Sequence, residues 1–224
     1  MAINEQLPEE PTKGIITSLI GYERCDIAFL LGELFNLVKK NTLIIDNSIS
    51  HDLYNTIKGH DTSLFLERGR VSYAKDIGYS EEAFKMFDHI IIYEGFNPTM
   101  DTLKYSHTVY LFSDYTKVCV DRLLAITEQM DEDTIGKTLV VTRDRFATKH
   151  AEKDIIRLIG LSQNHLLTSL PFNRTDTLRY ENFTYDRKLA TKGCSPELKD
   201  LLTYMFARAL SLNEKTARKI LKKL

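Results

Sequence analysis

Residues 14–46 read GIITSLIGYERCDIAFLLGELFNLVKKNTLIID, and this stretch decides the fold. Gly14 to Ile20 is a short apolar run rich in isoleucine, the pattern of a buried strand. From Ile27 to Lys40 the apolar residues Ile27, Leu30, Leu31, Leu34, Leu37 and Val38 recur at i, i+3, i+4 and i+7, which predicts a helix with one buried face. Thr42 to Ile45 (TLII) is a second strand, ending at Asp46.

The same alternation continues outward. Strands are expected at His89–Tyr93 (HIIIY), Thr108–Ser113 (TVYLFS), Lys137–Thr142 (KTLVVT) and His165–Leu170 (HLLTSL), the last stopped by Pro171. Helices are expected at Lys117–Met130, Lys149–Ile159, Ser195–Ala209 and Leu212–Leu224, with a short one at Asp101–Tyr105. Residues 47–86 are less regular and hold short helical pieces, Ser50–Lys58 and Ser80–Phe87. Several strands are continuous apolar runs, which marks strands covered on both faces. Their alternation with helices predicts an α/β, doubly wound, mostly parallel sheet with helices on both faces. Residues 1–13 form an N-terminal tail closed by Pro8 and Pro11, 14–210 a single α/β domain, and 211–224 a C-terminal basic amphipathic helix.

Composition is that of a globular chain: 224 residues, 43% hydrophobic and 27% charged. The net charge of −1 excludes a globally basic nucleic-acid binder, and DNA is disfavoured as a partner. The total hides a split. Residues 215–224 carry five basic and no acidic residues, leaving a mildly acidic body. No apolar run reaches the ~18 residues of a membrane span, and MAINEQLPEEPTK has no apolar signal core, so a cytoplasmic location is expected. Cys25, Cys119 and Cys194 are far apart and the six histidines are scattered, so no metal site is expected. GxSxG and GxGxxG are absent, which removes a nucleophile elbow and a Rossmann fingerprint. Cys25 reads as an inert thiol, because Glu23 and Asp26 oppose a thiolate, and the adjacent His51 and Asp52 do not read as an acid/base pair.

In such sheets ligands bind at the carboxyl ends of the strands. The segments there are IITSLIGYERCDIAFLLGELF, LIIDNS, FDHIIIYEGFNP, HTVYLFSDYTKVCVDRLLAI, LVVTRDRF and LTSLPFNRTDTLRYEN. Their order and spacing resemble the MinD/ParA branch of P-loop ATPases, which includes the CpaE/TadZ-type pilus-assembly proteins. The resemblance spans nearly the whole chain and implies their fold. It also implies a phosphate loop, KGGVGKTT in that family, over Leu19, Ile20, Gly21, Tyr22, Glu23, Arg24, Cys25 and Asp26. A working loop needs glycines, a lysine for the β/γ phosphates and a hydroxyl for Mg²⁺. Here only Gly21 remains. Leu19 stands for the signature lysine, Arg24 for the loop lysine and Cys25 for the hydroxyl, while Glu23 and Asp26 bring negative charge to the place of a polyanion.

Elsewhere Asp46 keeps the acid of the second strand, readable as a Mg²⁺ or water ligand or as a strand terminator. Tyr93 replaces the acid of the third strand, and Glu94 follows it on the opposite face of an extended strand. Thr142 stands for a base-reading asparagine, and Arg143, Asn173 and Arg174 are base-side or anion candidates; exposed arginines at a strand end are ordinarily solvated. The resemblance therefore implies a non-hydrolysing relative, a pseudo-ATPase scaffold for a bacterial pilus, secretion or partition machine, with no catalytic residue and no cofactor expected. An atypical Mg·ATP-binding ATPase using Arg24, and a DNA-partition protein using surface Lys/Arg, are the alternatives.

The C-terminal helix carries S-x-x-E at Ser211–Glu214, a capping-box pattern. Ala217, Ile220, Leu221 and Leu224 form its apolar stripe, and Lys215, Arg218, Lys219, Lys222 and Lys223 its basic face. It reads as a helix packed on the sheet, as a protein-partner surface, or as a weak contact with anionic membrane at the inner face. A homodimer would rest on packing, since Leu19 cannot reach a partner's nucleotide.

Overall fold

Leu19 lies between Tyr93 on one side and Tyr110 on the other, which puts the first strand in the middle of the sheet. The computed structural model describes residues 14–21, 24–58, 63, 65–145 and 151–224. The tail 1–13, Tyr22, Glu23 and the start expected for the helix at Lys149 lie outside the described residues. The sheet runs β3–β4–β2–β5–β1–β6–β7–β8. Its strands are β1 (Ile15–Gly21), β2 (Thr42–Asp46), β3 (Leu66–Arg68), β4 (Val71–Lys75), β5 (His89–Gly95), β6 (Thr108–Ser113), β7 (Thr138–Arg145) and β8 (Leu166–Pro171). All pairings are parallel except β3 with β4.

One face carries α1 (Asp26–Leu37), α2 (Asp52–Lys58), α8 (Arg174–Asp186), α9 (Pro196–Ala209) and α10 (Glu214–Leu221). The other carries α3 (Glu81–Phe84), α4 (Met100–Tyr105), α5 (Lys117–Thr127) and α7 (Glu152–Leu158), with α6 (Glu132–Gly136) beside α4. Alternate strand residues feed the two layers: Leu19, Ile44, Ile91, Tyr93 and Val141 pack under α1 and α9, while Ile20, Ile45, Ile92 and Val140 pack on the opposite side. This is why the strands read as unbroken apolar runs, and it is the doubly wound α/β arrangement expected. Helix α1 lies close to β2 because Gly32 has no side chain: a Cβ there would sit 2.6 Å from the Ile44 Cδ1.

Four local expectations need correction. The helix from Ile27 ends at Leu37, not Lys40, because Lys39 turns left-handed at φ 61° and the Lys40 amide bonds back to the Phe35 carbonyl. Residues 66–75, in the stretch expected to be irregular, form a β-hairpin. Gly69, at φ 64°, makes the turn, and β4 adds to the sheet beside β2. Residues 174–186 form a helix of 13 residues where a loop is expected. Finally, α10 is capped by Asn213, whose side chain accepts from the Thr216 amide at 2.9 Å. Ser211 sits at φ 52°, before the helix, and is not its cap.

Candidate functional site

The carboxyl end of β1 and the start of α1 form the position that the phosphate loop occupies in the family resembled. Gly21 ends β1 at φ 98°, and a Cβ on it would lie 2.2 Å from the Phe112 carbonyl oxygen on β6. This glycine is required by strand packing as it stands. Glu23 lies outside the described residues. Cys25 is the N-cap residue of α1 but makes no side-chain cap bond, and its thiol is fully buried. Burial, together with the neighbouring Asp26 and Asp46 carboxylates, pushes it well above the ordinary thiol range, so it stays protonated and inert.

Asp26, the first residue of α1, accepts two hydrogen bonds from Arg143, Nη1 to Oδ1 at 3.1 Å and Nη2 to Oδ2 at 3.2 Å. Arg24 Nη2 donates to its Oδ2 at 3.0 Å, and the Ile27 amide to its Oδ1 at 3.1 Å. Exposure is only 8%, 1% and 3% for Arg24, Asp26 and Arg143. Burial opposes ionisation of Asp26, but the Arg143 and Arg24 guanidiniums outweigh it and hold the carboxyl below its usual range. Arg24 also donates to the Asp176 carbonyl at 3.3 Å, lies over the Tyr180 ring at 4.6 Å and comes within 3.8 Å of Asp144. It is thereby turned toward α8. Among the described residues the two guanidiniums face the carboxylates of Asp26 and Asp144, with Asp176 lining the same space, so no excess of positive charge is left for a polyanion. The space among Arg24, Arg143, Asp144, Asn173, Asp176 and Ser195 is about 10 Å³, room for one water, against the ~300–1,000 Å³ of a small-molecule site.

Arg143 is thus no solvated strand-end arginine; it is a buried partner of Asp26, brought there because Val141 and Arg143 share the α1 side of β7. Asp46 is spent on its own loop. Its carboxylate accepts from the Ser48 amide at 3.1 Å, the Ser48 hydroxyl at 2.6 Å and the Tyr54 amide at 2.9 Å, which anchors α2. Burial raises its pKa against these bonds. Glu94 is on the opposite face from Tyr93, as the extended strand requires, and accepts from the Thr99 amide at 2.9 Å before α4. Burial raises it to about 7, against the Thr99 and Thr102 donors. Thr142 Oγ1 lies 3.3 Å from the Tyr115 hydroxyl, which is also 3.3 Å from Ser169 Oγ, so Tyr115 covers the end of β7 at Thr142. Asn173 caps α8 by accepting from the Asp176 amide at 3.1 Å, and Arg174 is exposed.

Asp144, Asp176, Tyr180 and Tyr115 belong to this closed region without having been legible in the sequence. The signal available for the last turn was N-x-x-D at Asn173–Asp176, an Asn cap with an acid at its third helical position. His51 is joined to the Asp46 carbonyl and to Asp76 at 3.3 Å, not to Asp52 in an acid/base pair. At the other end of the chain Lys215, Lys219, Lys222 and Lys223 are exposed, and Arg218 pairs with Asp200 at 2.9 Å. Among the described residues no group of three or more His, Cys, Asp or Glu is placed to hold a metal, and no helix is long and apolar enough to cross a membrane.

No family model matches the chain, and no curated protein matches it either. Solved structures do. The MinD cell division protein of Aquifex aeolicus superposes with a TM-score of 0.57 at 12% identity, covering 93% of this chain and 97% of that one. A ParA family ATPase from Chlorobium tepidum gives 0.56 at 13%, covering 90% and 100%, and apo McdA from Cyanthece gives 0.55 at 14%, covering 90% and 99%. The likeness is one of fold: the chain shares the doubly wound α/β fold of these MinD, ParA and McdA structures over nearly its whole length.

Proposed function

We propose that the chain is a non-hydrolysing scaffold of the MinD/ParA type, which positions or assembles a bacterial pilus, secretion or partition machine through protein contacts. The observation that carries this reading is the buried Arg24–Asp26–Arg143 cluster. A carboxylate of the chain occupies the helix N-terminus where a phosphate would bind, and both nearby arginines are committed to it. Opening the site to a triphosphate means breaking a buried ion pair, which costs about 3–5 kcal/mol before any ligand contact is made. Partner binding is supported by exposed apolar side chains, Ile49 on the loop after β2 and Leu178 and Tyr185 on α8. One of the similar solved structures is of a MinC:MinD complex, a precedent for protein contacts on this fold.

The test is calorimetry and thermal unfolding with millimolar ATP, with and without Mg²⁺. A bound nucleotide at 100 times its Kd stabilises by about 2.7 kcal/mol, a clear rise in melting temperature. The expected result is flat heat and an unchanged melting temperature. Micromolar Mg·ATP binding, or turnover that disappears in Arg24→Ala, would replace this reading with that of an atypical ATPase.

A further inference from the structure

A second concave space lies far from the closed loop. A cleft of about 510 Å³ lies between α9, α10 and the turn at 191–193. Five cations line it, Lys192, Lys199, Arg218, Lys222 and Lys223, with Asp200 the one acidic side chain. Counting side chains, the cleft is net +4 while the rest of the sequence is net −5. Its walls are fixed. The Thr191 hydroxyl donates to the Leu221 carbonyl at 2.8 Å, Arg218 pairs with Asp200 at 2.9 Å, and buried Thr203 and Leu221 form the floor.

Helix-end electrostatics account for only part of this set. Lys222 and Lys223 follow the C-terminus of α10 and complement its dipole. Lys199 does not: it lies in the first turn of α9, where a cation faces the positive end of the helix. Lys192 is on neither helix. Among the described residues Lys192, Lys199, Lys222 and Lys223 have no ion-pair partner, so four like charges from three chain segments converge on one volume. Such a group repels itself until an anion joins it. A space of this size with convergent lysine donors suits a compact, multiply charged phosphate, which lysines take as point charges.

We propose that this cleft is a binding site for a phosphate-ester ligand of at least two negative charges, carried either by a free phosphorylated small molecule or by a lipid headgroup. It is independent of the closed loop before α1, whose charges cancel internally.

The experiment is titration calorimetry of the full chain with inorganic pyrophosphate in Mg²⁺-free, low-salt buffer. A parallel arm is flotation with phosphatidylcholine vesicles containing phosphatidic acid, a phosphomonoester headgroup that can carry two negative charges. Lys199→Gln/Lys223→Gln removes two cleft charges, and Lys117→Gln/Lys153→Gln makes the same charge change elsewhere on the surface. The cleft site is expected to saturate at one pyrophosphate per chain. Its affinity should fall about tenfold in the cleft variant and hold in the control, and it should weaken steeply with salt. Pyrophosphate binding without flotation assigns a soluble ligand; flotation lost in the cleft variant alone assigns a headgroup. Binding in neither arm, or binding equally reduced by both double variants, overturns the proposal. All four lysines are surface side chains, and unchanged circular dichroism confirms that each variant is folded.

Discussion

Asp26 is held by two buried arginines, Arg143 through two hydrogen bonds and Arg24 through one, so its removal takes a carboxylate from both. Asp26→Asn keeps the shape and removes the charge that both buried guanidiniums face, leaving Asp144 3.8 Å from Arg24. The expected loss is about 3–5 kcal/mol in urea denaturation at pH 7. Its pH dependence follows from the lowered pKa: the stabilisation is complete above the ordinary aspartate value and is lost as pH falls through the lower folded value, so the variant and the parent converge in acid. Glu94 runs the other way. Its folded pKa is raised from 4.5 to about 7 by burial, and its Oε1 is buried with no partner among the described residues. Below the unfolded value both states are protonated and nothing is lost. Between the two values the unfolded chain ionises first, so stability falls as pH rises, and above about 7 the penalty is complete. Glu94→Gln should therefore be near neutral at pH 4.5 and stabilising by about 3 kcal/mol at pH 8. A gain that is equal at both pH values would show that the carboxyl is not the source of the penalty.

At the scale of elements, α10 offers a direct contrast between pattern and geometry. Ser211 and Glu214 match the spacing of a capping box, yet the chain bends at Ser211 and the helix begins at Glu214 behind Asn213. Asn213→Ala should cost about 1 kcal/mol in thermal or urea unfolding, and Ser211→Ala should stay within about 0.5 kcal/mol. Equal losses would restore the pattern-based cap. The elements that were legible share one property: α1, β2, β5, β6 and β7 carry long, single-period apolar signals that tertiary packing reinforces. The missed elements lack it. Helix α8 presents Leu178, Tyr180, Phe183 and Tyr185, which do not fall on one face, and only Phe183 is buried. Strand β3 has three residues, and its hairpin showed only in the spacing of Val71 and Tyr73 after Gly69. In the candidate site, the run Arg24, Cys25 and Asp26 was legible because its members are neighbours in sequence. Their closure by Arg143, 117 residues further on, was not, since a long-range ion pair leaves no local pattern.

At the scale of the whole molecule, α10 raises the question of whether the basic helix is an appendage or part of the body. Its apolar stripe is engaged: Ala217 and Leu221 are buried, Ile220 and Leu224 pack against the core under α1 and α9, and Thr191 holds the Leu221 carbonyl. A helix inserting into lipid uses that same stripe, so membrane insertion and docking exclude each other, and the cationic face alone remains outward. If the helix is part of one cooperative unit, loosening its seat must weaken the entire domain. Leu221→Ala, which removes a buried side chain and leaves a cavity, should then lower the unfolding free energy by about 2–4 kcal/mol. Far-ultraviolet circular dichroism and limited proteolysis should move together along the urea axis. The alternative has a different signature. An independent terminal anchor would be clipped early by protease in Leu221→Ala, while the midpoint of the remaining domain stayed where it is in the parent chain. That outcome would return α10 to the status of a detachable membrane contact and dissolve one wall of the cationic cleft, so the same variant tests how the basic end of the molecule is built.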